Sequence, residues 1–108
     1  MSRLIVARTL LSRMKGLLFT KANDDVLLMV PCCDVHTFGM SYALDIAFID
    51  EQGYVRSAFR DVGAGCRLRC CESYAVMERA ACPRAAWYRE GCFAGERVRK
   101  AIDDRRLP

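Results

Sequence analysis

Cys32 and Cys33 precede the chain's only histidine, His36, by four and three residues. At that spacing a thiolate and an imidazole can come within proton-transfer distance, and the imidazole can lower the thiol pKa and take its proton. Such a nucleophile also needs an oxyanion hole and an orienting group, for which Asp45 is the nearest acid. The competing reading is structural. Here His36 and Thr37 hydrogen-bond backbone groups of an irregular loop, bounded by Pro31 and ending near Met40, and fix its entry into the next strand. Catalytic thiol motifs do not transfer between families, so the structural reading is preferred. It predicts that His36→Ala costs about 1–3 kcal/mol through unsatisfied buried groups. No catalytic residue is assigned, and an enzyme using Cys32 with His36 is the alternative.

Zinc is a second possibility, because Cys32, Cys33, His36, Cys66, Cys70, Cys71, Cys82 and Cys92 offer enough ligands. The nearest knuckles, Cys66-x3-Cys70 and Cys32-x3-His36, lack the commonest spacing, and free cysteine is also a small buried hydrophobe. No metal or cofactor is therefore expected. Asp45 alternates with Leu44 and Ile46 in a strand, so it shares a face with Ala47 and Ile49. It is either an edge charge or a partly buried anchor, with Arg13 as a suitable partner. Glu78, at the end of its own strand, can be read in the same way. Trp87-Tyr88 beside Arg84 and Arg89 is the best stacking candidate for a nucleic acid. No groove-reading helix or zinc finger accompanies it, and the pair reads as a core plug.

The elements that must position these residues are short. Leu4–Ala7 is a β-type run. Leu10, Leu11, Met14, Leu17 and Leu18 then recur at threes and fours behind Thr9, the period of an amphipathic helix. Asn23-Asp24-Asp25 is a turn, and Val26–Val30 is a buried strand closed by Pro31. The segment from Cys32 to Met40 is irregular by pattern. Leu44–Asp50 is the clearest strand and turns through Glu51-Gln52-Gly53 into Tyr54–Phe59, a β-hairpin. Gly63-Ala64-Gly65 opens a loop and Ser73–Arg79 is a further strand. Pro83–Tyr88 reads as one helical turn, Arg97–Ile102 as a final strand, and residues 103–108 as a fraying tail.

Composition bounds the function classes. The 108 residues suffice for one domain, and with 53% hydrophobic and 28% charged residues the chain should fold rather than remain disordered. No uncharged run approaches the roughly 20 residues needed to cross a bilayer. Basic residues interrupt the N-terminal apolar stretch, which therefore lacks a signal-peptide core. An odd cysteine count with two adjacent pairs suits a disulfide framework poorly, so reduced thiols in a cytoplasmic protein are expected. The charges fall in blocks: five cations and no acids over 3–21, six acids and no Lys or Arg over 22–55, and twelve cations against seven acids thereafter. A folded domain can pair such blocks.

Three segments carry a resemblance: Arg-x-x-Gly-Leu-Leu at Arg13–Leu18, Pro-Cys-x-x-Val-His-Thr-Phe-Gly-Met at Pro31–Met40, and Leu-Asp-Ile-Ala-Phe-Ile-Asp at Leu44–Asp50. With Ser73–Arg79 and Gly95–Val98 they make the chain similar to the domain of unknown function 192 (DUF192) family over about residues 5–99. The resemblance implies a mainly β, single-domain barrel or sandwich with one or two short helices, and no assigned activity. Some family genes lie near pilus and secretion components. The family's glycine-containing turn after the strand glutamate is replaced here by Arg79–Pro83. The expected function is a non-enzymatic module with an ordered core over about 4–102, monomeric, binding a small molecule or a protein. Its candidate pocket or loop comprises Cys32, His36, Thr37, Met40, Asp45, Arg13 and Glu78.

Overall fold

Each β-branched or leucine-rich run delimited by turn residues becomes a strand. A computed structural model describes residues 3–7 and 25–106. Its strands are β1 (Leu4–Ala7), β2 (Val26–Met29), β3 (Asp34–His36), β4 (Leu44–Ile49), β5 (Val55–Val62), β6 (Arg67–Arg69) and β7 (Ala75–Ala80). One helix follows, α1 (Glu96–Arg106). Five strands form a sheet in the order β1-β2-β7-β4-β5, while β3 and β6 pair as a separate antiparallel ribbon. Only the β1–β2 pair of the large sheet is parallel. The domain is mainly β with one short helix, as expected, and of the barrel or sandwich expected for it the sheets do not close into a barrel. The Thr9–Leu18 helix, Arg13 and most of the Asn23–Asp25 turn lie outside the described residues.

The period-2 pattern of β4 gives the layers. Leu44, Ile46 and Phe48 face the ribbon and pack with Cys32, Val35 and Leu68. Ala47 and Ile49 face the helix and pack with Val98, Ala101 and Ile102. All six β4 residues are buried, because β7 and β5 flank the strand and apolar layers cover both of its faces. The expected hairpin is present. Asp50 Oδ1 accepts the backbone N–H groups of Gln52 and Tyr54 at 3.0 Å each, and Gly53 takes φ +93°. A Cβ there would lie 3.0 Å from the Phe93 ring, so this turn requires glycine twice over.

Four local expectations are overturned. Arg97–Ile102 is not a strand but the start of α1, because Val98, Ala101 and Ile102 recur at i, i+3 and i+4 and together cover one sheet face. The apparent alternation spanned six residues, too few to separate the two periods. The supposed tail continues that helix through Arg106. Pro83–Tyr88 holds no helical turn; Ala85 N–H donates to the Cys82 carbonyl at 3.1 Å, closing a β-turn with proline at its second position. The loop read as irregular contains β3, too short to show a period. Among the described residues no helix is long and apolar enough to cross a membrane.

Candidate functional site

The parity of β7 separates the two acids expected to share a pocket. Asp45 lies opposite Arg79 in the β4–β7 register, on the helix-facing side of the sheet, whereas Glu78 lies opposite Leu27 and Ile46 on the ribbon-facing side. Cys32 and Met40 also pack on the ribbon side of the sheet. The expected single pocket is thus divided by the sheet.

Of the two loop residues, Thr37 is hydrogen-bonded to backbone groups and His36 is turned to the surface. Thr37 is 1% exposed; its Oγ1 donates to the Gly63 carbonyl at 2.7 Å and accepts the Cys66 N–H at 2.8 Å, which ties the β3 end to the loop entering β6. His36 is exposed, and its ring lies 5.3 Å from that of Phe38. Strand alternation explains this, since Val35 points into the core and its neighbours must point out. The anchoring role therefore passes one residue along. Thr37→Val is expected to cost about 1–3 kcal/mol, leaving the Cys66 N–H and the Gly63 carbonyl without the partly buried hydroxyl that pairs them, whereas His36→Ala should stay within about 0.5 kcal/mol. Urea midpoints of the two variants check the order.

Cys32 and His36 take different partners. Cys32 is buried and its Sγ donates to the Asp34 carbonyl at 3.4 Å. The other cysteines are half-buried or exposed, with Cys71, Cys82 and Cys92 at the surface, so packing as small hydrophobes does not describe them all. Among the described residues no three His, Cys, Asp or Glu side chains are grouped to hold a metal.

Asp45, 1% exposed, is a buried carboxylate that accepts hydrogen bonds from three donors. A bulge in β5 sets it up. Leu44 pairs with Val62 but Ile46 with Phe59, so one extra β5 residue stands opposite Asp45, and Asp61 adopts φ +56°. Asp45 Oδ1 accepts the Asp61 N–H at 3.0 Å. Oδ2 accepts Arg79 Nε at 2.9 Å and the Cys82 N–H at 3.3 Å, while Arg60 Nε stands 3.9 Å from Oδ1. Burial pushes the Asp45 carboxyl up, but the Asp61 N–H, Arg79 and the Cys82 N–H outweigh it and hold the group below its ordinary value. Expected as an edge charge or anchor, Asp45 is the anchor. Its partner is Arg79.

This anchor builds a groove. The Arg79 guanidinium sits 4.5 Å over the Trp87 ring, and Trp87 Nε1 donates to the Ile46 carbonyl at 3.1 Å. Tyr88 meets Trp87 edge-on, ring centres 5.0 Å apart, and burial pushes its hydroxyl pKa up. Arg60 Nη2 donates to the Cys82 and Ala85 carbonyls at 2.7 Å each, pinning the β-turn after β7. Between these groups lies a cavity of about 730 Å³, lined by Arg60, Arg79, Trp87, Tyr88 and Arg89. A second cavity of about 390 Å³, walled by Leu4, Met77 and Val98, shares Val26 and Tyr88 with it. Sequence reasoning missed Arg60 and Arg79, whose positions follow from strand pairing. The Trp87-Tyr88 pair beside Arg89 is the available signal; it lines the groove rather than plugging the core.

The profile of the DUF192 family, described as an uncharacterized group, matches residues 1–98. The chain belongs to the DUF192 family. No curated protein matches it at a significant level. Two crystal structures resemble this DUF192 chain in fold, both with a TM-score of 0.61 and 20% identity over 72% of the chain. One is a candidate transcription regulator from Sinorhizobium meliloti 1021, matched over 67% of its own length. The other is a protein of unknown function from Novosphingobium aromaticivorans DSM 12444, of whose length the chain spans 62%. At this identity the likeness concerns the fold alone.

Proposed function

We propose that this DUF192 protein is a non-enzymatic binding module whose seat is the groove between β5, β7 and the segment from Cys82 to Cys92. The observation that carries the reading is the Asp45 anchor. One buried carboxylate fixes β5, Arg79 and the post-β7 turn at once, so the groove walls are set before any ligand arrives, which lowers the ordering cost of binding. Its volume, about 730 Å³, falls within the range of small-molecule sites. Most of the lining side chains are charged or aromatic binding groups, and the one thiol among them, Cys92, has no histidine or carboxylate beside it in the lining. The pilus and secretion setting of some family genes adds no residue to this groove, so the reading rests on the groove itself.

A thermal-shift screen of small molecules against wild type and Ala86→Trp tests it. Ala86 is an exposed groove residue, and the larger ring fills the space without touching Asp45. A ligand present at 100 times its Kd stabilises wild type by about 2.7 kcal/mol, a shift of several degrees. The expected result is at least one ligand whose shift disappears in Ala86→Trp. Hits that stabilise both proteins equally, or a hit that is turned over, would count against the proposal.

A further inference from the structure

We infer that the groove seats the dianionic phosphate of a phosphate monoester with an apolar or aromatic body. This rests on the groove being the binding seat and goes further by naming what it takes.

The charge balance is the first argument. Arg60, Arg79 and Arg89 line the cavity, and among the described residues the only carboxylate that touches any of them is Asp45. Three guanidiniums against one carboxylate leave two positive charges, the number a phosphate monoester neutralises. Donor capacity is the second. A guanidinium has five N–H donors. Asp45 and the Cys82 and Ala85 carbonyls occupy Nε and Nη2 of Arg79 and Nη2 of Arg60. No acceptor among the described residues takes Nη1 of either, and none there takes the Arg89 guanidinium. The first two arginines are therefore held through Nη2 while each Nη1 keeps its N–H donors for charge-assisted contacts to an oxyanion.

The apolar surroundings specify the rest of the ligand. Beyond the arginines the wall passes over Tyr88 and Val26 into the second cavity, whose lining is mainly apolar. A charged head at the arginines leaves an organic body directed along that path. Inorganic phosphate satisfies the head alone.

Trp87 is the chain's only tryptophan and lies in the wall, so its emission reports the groove directly. The full-length chain is titrated with phenyl phosphate, inorganic phosphate, benzoate and phenol at constant ionic strength. The expected result is a saturable change in Trp87 emission, with phenyl phosphate binding at least tenfold more tightly than the other three. Arg89→Gln, at an exposed position whose side chain has no partner among the described residues, should weaken phenyl phosphate at least tenfold and leave the melting temperature unchanged. Equal binding of inorganic and phenyl phosphate would overturn the ester assignment. Binding of benzoate or phenol but not of phosphates would overturn the inference while leaving the groove as a binding seat. If no ligand of any charge, including hits from the thermal-shift screen, moves Trp87 emission, the inference and the reading beneath it both fall.

Discussion

Asp45→Ala is expected to destabilise the domain by about 3–5 kcal/mol, the range for removing one member of a buried charge pair. The loss has three parts. Arg79, only 13% exposed, is left without its carboxylate. The Asp61 and Cys82 N–H groups lose their acceptor, and at Asp61 that acceptor holds the φ +56° bulge in place. Asp45→Asn keeps the shape and part of the hydrogen bonding, so it should cost less than Asp45→Ala but still well over 1 kcal/mol. Urea unfolding of both variants gives the order. An Asp45→Ala protein as stable as wild type would show that the groove walls stand without their anchor. The same bonds set an acid limit: because Asp45 is held below its ordinary 3.8 in the folded state, its contribution is present above that pH and is lost as pH falls below it.

Glu78 should act in the opposite direction. It is 7% exposed between Leu27 and Ile46, with no hydrogen-bond or ionic partner among the described residues, and burial pushes its pKa up to about 7 from 4.5. Between those values the folded chain keeps a proton that the unfolded chain has released. Stability therefore falls as pH rises through this window, and the loss is complete above 7. At about 1.4 kcal/mol per pKa unit the full effect is on the order of 3 kcal/mol. Glu78→Gln should abolish the decline and make the variant more stable than wild type by up to about 3 kcal/mol at pH 8, with little difference near pH 4. Urea midpoints at pH 4, 6 and 8 test it. An unchanged decline in Glu78→Gln would assign the pH dependence elsewhere. Together the two acids place maximum stability in the mildly acidic range.

The sequence by itself determined the local elements whose signals are short-range. The apolar runs at Leu4–Ala7 and Val26–Met29, the hairpin around Gly53 and the two faces of Leu44–Ile49 all follow from period and turn chemistry, which neighbours along the chain control. Family membership was legible for the same reason, since motifs at Pro31–Met40 and Leu44–Asp50 are contiguous. Where the signal was weak, local reading failed: six residues at Arg97–Ile102 fit two periods, and contact with Ala47 and Ile49 decided for the helix. The site lay further out of reach. Asp45 and Arg79 are 34 residues apart, and only the β4–β7 register sets them opposite each other. A shift of one residue would move every side chain of β7 to the other face and pair Asp45 with the Glu78 or Ala80 position instead. That register is fixed jointly by the cores on both sides of the sheet, which no window of sequence contains. Tertiary structure alone therefore separated the two acids, made one an ion-paired anchor, and left the other in an apolar layer where it holds its proton.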